Sequence, residues 1–113
     1  MTIRKGRSRR KSAPASVPDR PHLLAWLKDA ENAAAYVEAA IELGDPVGVL
    51  QALRNVADAR GGIARIAEKT GLNREALYRT LSKRGNPQLK SLTAILEATG
   101  LRLSVTPAQR KAA

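Results

Sequence analysis

Frequent helix-stopping punctuation is the feature that most limits what this chain can fold into. "GDP" at 44–46, "GG" at 61–62, "KTGLN" at 69–73 and "GNP" at 85–87 each halt a helical pattern with glycine. Three of the four restart the next pattern on a capping Asp or Asn, and two add a proline just after the cap. The intervals leave room for helices of about four turns or fewer. Before the first mark, "HLLAWLK" at 22–28 reads as a short apolar turn or helix. Asp29 then caps a helix to Leu43, with Ala33, Tyr36, Val37, Ala40 and Ile41 on one face. A helix opening at Asp45-Pro46 buries Val49, Leu50, Leu53, Val56 and Ala57. Another opens at Asn86-Pro87 and buries Leu89, Leu92, Ile95 and Leu96. In "LRLSV", Leu101, Leu103 and Val105 alternate with Arg102 and Ser104, the period of a half-buried strand. The expected fold is all-α, a small helical bundle containing a helix–turn–helix and ending in a short C-terminal β-strand.

A chain of 113 residues supports one domain. Its core must be aliphatic, because there is no Phe and the aromatics are Trp26, Tyr36 and Tyr78. Trp26 is expected as a core anchor, with a partner-facing hot spot as the sharper alternative. The absence of cysteine leaves no disulfide and no thiolate metal site, which fits a reducing compartment. No apolar run is long enough to span a bilayer. The basic start has no apolar stretch after it, unlike a secretory signal. A cytoplasmic protein without membrane contact is expected.

Nothing in the sequence assembles a catalytic constellation, so no enzymatic activity, cofactor or metal is expected. His22 is the single histidine, and it stands beside Pro21 where a structural or solvated role suffices. Glu38 and Glu42 are four apart on one helix face, but nothing converges on them.

Charge is unevenly divided. The chain carries a net +10. Residues 1–20 contribute +6, residues 21–60 contribute −3, and residues 61–113 contribute +7. Such asymmetry suggests a basic surface for a polyanion and a mildly acidic one facing elsewhere. Residues 1–20, with Pro14 and Pro18 and almost nothing to bury, read as a disordered basic arm. Its basic residues serve either solubility or phosphate contact. A helical domain at 21–106 and a disordered tail at 107–113 complete the expected organisation.

The central stretch is "IARIAEKTGLNREALYRTLSK" at 63–83. Ile63, Ile66 and Ala67 share one helical face, and Gly71 provides the left-handed residue that lets the chain leave that helix. Leu72 precedes the cap Asn73 and can close over Leu77 as a staple. Ala76, Leu77, Thr80 and Leu81 then face inward, as a helix–turn–helix requires. Arg74, Glu75, Tyr78, Arg79 and Ser82 are left pointing out. An ordinary solvated helix would more often carry Lys/Glu pairs than this array. As a recognition helix in the major groove, Arg74 or Arg79 would grip guanine bidentately, Glu75 would accept from cytosine, and Tyr78 would pack on a sugar or thymine methyl. Arg65, Lys69, Lys83, Arg84 and Lys90 are expected at DNA phosphates, which position the protein without conveying sequence.

The stretch "GGIARIAEKTGLNREALYRTLSKRGNPQLKSLTAILEATGLRLSV" resembles addiction-module antidote proteins of the HigA type, whose DNA-binding part is Cro/lambda-repressor-like. The likeness begins near "LKDAENAAAYVEAAIELGDP" and covers roughly 80 residues; "GDP", "KTGLNREALYRTLS" and "GNP" are its most specific pieces. The resemblance implies an antitoxin that binds a RelE/HigB-like mRNA interferase toxin and represses its own operon. The family's base-reading positions fall here on Arg74, Glu75, Tyr78 and Arg79. The basic arm is not part of the common pattern, so the resemblance implies no role for it. Toxins of that type are usually basic, which places the toxin against the acidic part of the chain, with Glu31, Glu38 and Glu42 as its contacts.

Two other readings stand beside this one. A stand-alone regulator would use the same DNA chemistry, and a neighbouring reading frame for a small basic protein would separate the two. An RNA- or ribosome-associated protein would need aromatic stacking features, of which the chain has almost none. In the first reading the strand at Leu101, Leu103 and Val105 pairs with its own copy. The resulting homodimer would match a palindromic operator in double-stranded DNA.

Overall fold

The computed structural model describes residues 19–108. The expectations of a disordered arm at 1–20 and a disordered tail at 107–113 fall almost wholly outside that range. Among the described residues six helices follow one another: α1 (Arg20–Trp26), α2 (Ala30–Leu43), α3 (Pro46–Ala59), α4 (Gly62–Thr70), α5 (Arg74–Thr80) and α6 (Leu89–Ala98). α2 pairs extensively with α3, and α1 lies on α3. α4 sits centrally, touching α3, α5 and α6.

Caps place three of these helices where local chemistry demands. The Asp29 carboxylate accepts the N–H groups of Glu31 and Asn32 at 2.8 and 3.2 Å. Asp45 accepts Val47 N–H at 3.1 Å, with Pro46 in the first turn where a missing N–H costs nothing. Asn73 accepts Ala76 N–H at 3.0 Å. Each such bond satisfies a donor that the helix itself cannot, and stabilises by about 1 kcal/mol. The core is aliphatic throughout. Leu27, Val56, Ile66, Leu77 and Ile95 are its most completely buried large side chains, and Trp26 and Tyr36 pack on its margin.

Three expectations are corrected. First, no strand forms among the described residues. The Leu101 N–H donates to the Leu96 carbonyl at 2.8 Å and so closes α6 instead of joining a ladder. No other described segment pairs with residues 101–108, and alternation without a partner leaves an extended tail. Second, the last helix starts at Leu89 on Gln88, which makes no side-chain cap, and not at Asn86-Pro87. Gly85 presses so closely on the end of α5 that an added Cβ would overlap the Thr80 carbonyl oxygen. From there the chain makes no helical turn until Gln88, itself extended (φ −74°, ψ 157°), after which α6 begins. Leu89, in the first turn, stays 66% exposed where burial was expected. Third, Ile41 is 54% exposed. It stands in the last turn of α2, beyond the reach of the core that takes Ala33 and Val37.

Candidate functional site

α4 and α5 are joined by three residues, and local chemistry fixes how they meet. Gly71 takes the left-handed conformation (φ 76°), and its N–H donates to the Ala67 carbonyl at 2.9 Å. The Thr70 hydroxyl donates to the Ile66 carbonyl at 2.7 Å and accepts the Leu72 N–H at 3.2 Å, tying the turn to the helix before it. Leu72 is half-buried against the core, and Asn73 starts α5. Leu77 (1% exposed) and Leu81 anchor the inner face of α5 and the turn that follows it, with Ala76 and Thr80 half-buried.

The outer face carries what remains. Arg74, Glu75, Tyr78 and Arg79 are all exposed on α5. Ser82 is half-buried, and its hydroxyl donates to the Arg79 carbonyl at 2.7 Å. Tyr78 is held from behind, because the Arg54 guanidinium of α3 lies 5.0 Å from its ring centroid.

Arg54 belongs to a polar chain that sequence reasoning missed. Asp58 Oδ2 sits 2.5 Å from Arg20 Nη2 and 3.9 Å from Arg54 Nε. Arg20 Nη1 donates to Asn55 Oδ1 at 2.7 Å, and Asn55 Nδ2 donates to the Tyr36 hydroxyl at 2.9 Å. Tyr36 meets Trp26 edge-on, with ring centroids 6.3 Å apart. The network therefore runs from α1 and α2 through α3 to the outer face of α5. The one available sequence signal was the i,i+4 pair Arg54/Asp58.

The expected phosphate contacts do not gather in one place. Lys83 lies in the turn after α5 and lines the cleft that also holds Arg20 and Arg54. Arg84 and Lys90 are exposed nearby in sequence, in that turn and in the first turn of α6. Arg65 is exposed on α4 and folds back over Gly61. Lys69 instead points to the end of α6, with Nζ 3.5 Å from the Ala98 carbonyl. That second cleft, about 380 Å³, is lined by Lys28, Arg60 and Glu97 and shares no residue with the first. Arg60, also missed, bonds there to two carbonyls: Nε donates to Thr99 and Nη1 to Lys28.

Glu31, Glu38 and Glu42 are exposed on α2. Spacings of seven and four residues set them along one stripe. Exposed Ile41, Leu43 and Val47 add apolar surface at the α2–α3 corner next to Glu42. Leu101 is half-buried against the core, while Leu103 and Val105 are 47% and 92% exposed. Among the described residues no helix is long and apolar enough to cross a membrane. Nor do three or more His, Cys, Asp or Glu among them gather to hold a metal ion.

A protein of Haemophilus influenzae (strain ATCC 51907 / DSM 11121 / KW20 / Rd), described as uncharacterized, is 37% identical over 57 residues, half of this chain. The match spans 58% of that relative's length. No solved structure matches. The family described as "Probable addiction module antidote protein" matches residues 21–107, from α1 through the segment after α6. The match takes in α1 from its second residue and the whole of α2 to α6, and the chain belongs to the probable addiction module antidote protein family.

Proposed function

We propose that this protein is an antitoxin that neutralises a RelE/HigB-like mRNA interferase by binding it, and that represses its own operon by reading a palindromic operator. One observation carries the DNA half of this reading. α5, seven residues long and pinned by Leu77 and the Asn73 cap, turns Arg74, Glu75, Tyr78 and Arg79 outward together. Held on α4 as the second helix of a helix–turn–helix, it would lie in the major groove with these side chains at base edges. Lys83 and Arg84, just beyond its C-terminal end, would meet the flanking phosphates. Family membership supports the toxin half, since an antidote acts on a toxin.

The test is a pair of substitutions measured on the operator and on a random duplex. Arg79→Ala should weaken operator binding by about 1–3 kcal/mol and leave the random duplex nearly unaffected. Lys83→Ala should weaken both alike and lower the salt slope by about one unit. Identical behaviour of the two variants would remove α5 from the groove.

The toxin is placed on α2, against Glu31, Glu38 and Glu42, with the exposed Ile41, Leu43 and Val47 as an apolar border to the acidic stripe. A basic partner would be steered by that charge and held by the apolar surface. Charge reversal at Glu38 and Glu42 should slow toxin association several-fold and leave DNA affinity unchanged. An unaltered association rate would move the interface off this helix. Pairing of residues 101–105 between two copies would supply the two-fold symmetry of a palindromic site.

A further inference from the structure

The cleft between α3 and the turn after α5 has a charge balance that the groove-reading helix does not use. It encloses about 500 Å³ and is lined by Arg20, Gln51, Arg54, Asp58, Ser82 and Lys83, among others. Two guanidiniums there share one carboxylate. Asp58 is drawn to Arg20, at 2.5 Å, and leaves Arg54 at 3.9 Å. Arg54 Nε is buried with no hydrogen-bond partner among the described residues, although the side chain as a whole is 35% exposed. A guanidinium partly stripped of water and only loosely paired is costly where it stands. It also has a fixed neighbour in the Tyr78 ring, whose centroid lies 5.0 Å from its Cζ, and a planar guanidinium so placed suits an anion.

We propose that this cleft is a phosphodiester subsite centred on Arg54, with Lys83 and Gln51 flanking it. The proposal rests on the reading of α5 as a DNA-binding helix and extends the contact to α3, which that reading leaves unused. A phosphodiester fits on three grounds. Three cations face one carboxylate, so the cleft keeps net positive charge after its internal pairing. A planar guanidinium matches the oxygens of a phosphate through parallel N–H donors. The cleft also adjoins the outer face of α5 through Tyr78, so a duplex seated on α5 would bring its sugar-phosphate strand past this opening. Ser82 contributes shape and not a donor, since its hydroxyl proton already goes to the Arg79 carbonyl. Asp58 would repel the anion, and its close pairing with Arg20 is what makes the site tolerable.

The experiment measures the salt dependence of binding to a random 24-base-pair duplex, so that no operator sequence is needed. Wild type, Arg54→Gln, Arg54→Lys and Lys28→Gln are compared, each checked for an unchanged circular dichroism spectrum. Arg54→Gln should lower the slope by about one unit and the affinity at 0.1 M salt by roughly eightfold, the share of one released counterion. Arg54→Lys should keep most of the slope, which shows that the fold survives replacement of the guanidinium. Lys28→Gln removes the same charge from the other cleft and should change the slope far less. If Arg54→Gln and Lys28→Gln behave alike, the subsite is wrong, and an acidic segment of a protein partner becomes the better occupant. Wild type that binds no duplex would remove the DNA reading of α5 and this subsite with it, whereas wild type that binds with a slope Arg54→Gln leaves unchanged would remove the subsite alone.

Discussion

Leu77→Ala is expected to remove about 2–5 kcal/mol of folding stability in chemical denaturation. Leu77 is 1% exposed and lies in the core between α4 and α5. The loss has two parts, the transfer free energy of the deleted carbons and the cavity left in the aliphatic core, which neighbouring side chains fill only in part. Domains of this size are stable by roughly 5–15 kcal/mol in total, so one substitution would consume a large fraction of that margin. Because α5 has seven residues, it is too short to hold its own helical shape and depends on this docking. The DNA binding proposed for α5 should therefore weaken with stability. A cost below about 1 kcal/mol would mean that α5 does not dock through Leu77.

The second large effect is expected at Leu103. Residues 102–108 make no backbone–backbone hydrogen bond among the described residues, and Leu103 and Val105 present apolar side chains to solvent. Two copies pairing these segments antiparallel about a two-fold axis would satisfy the open N–H and C=O groups of both and cover the exposed side chains. If α5 is the groove-reading helix proposed above, its two copies would then sit about one DNA turn apart, roughly 34 Å. Leu103→Pro removes a donor and a covering side chain together. It should convert the dimer to a monomer in sedimentation and leave only weak half-site binding. Wild-type protein that sediments as a monomer at micromolar concentration would sink this assembly.

What the sequence made legible is what is decided within about four residues. Asp29, Asp45 and Asn73 cap their helices because each carboxylate or amide reaches an N–H two or three positions ahead. Gly71 was readable for the same reason, as was the outward set on α5, which follows from the inward one once the helical period is known. The Arg54–Tyr78 contact was not, since its partners are far apart in sequence and meet only after α3, α4 and α5 have packed. Asn55 looks like a misplaced polar residue in an apolar stripe until Arg20 and Tyr36 arrive at its two ends. The start of α6 misled because Asn-Pro after glycine is sound capping chemistry. The turn that closes Gly85 onto Thr80, five residues back, postponed the helix to Leu89. "LRLSV" has the alternation of a strand, but alternation specifies a conformation and not a partner.

The seam between α1 and α2 has one more consequence. Trp26 is the sole indole in the chain, packed edge-on to Tyr36, with its Nε1 buried and bonded to nothing among the described residues. An indole held dry and unbonded emits toward the blue, and water or a new acceptor at Nε1 would redden it. Selective excitation thus gives this protein a built-in optical gauge of a single corner, tied to α2 through Asn32, whose side chain donates to the Trp26 carbonyl. A ligand seated on α2 would register in that emission without a label, whereas a duplex seated on α5 would reach it only through Arg20, Asn55 and Tyr36.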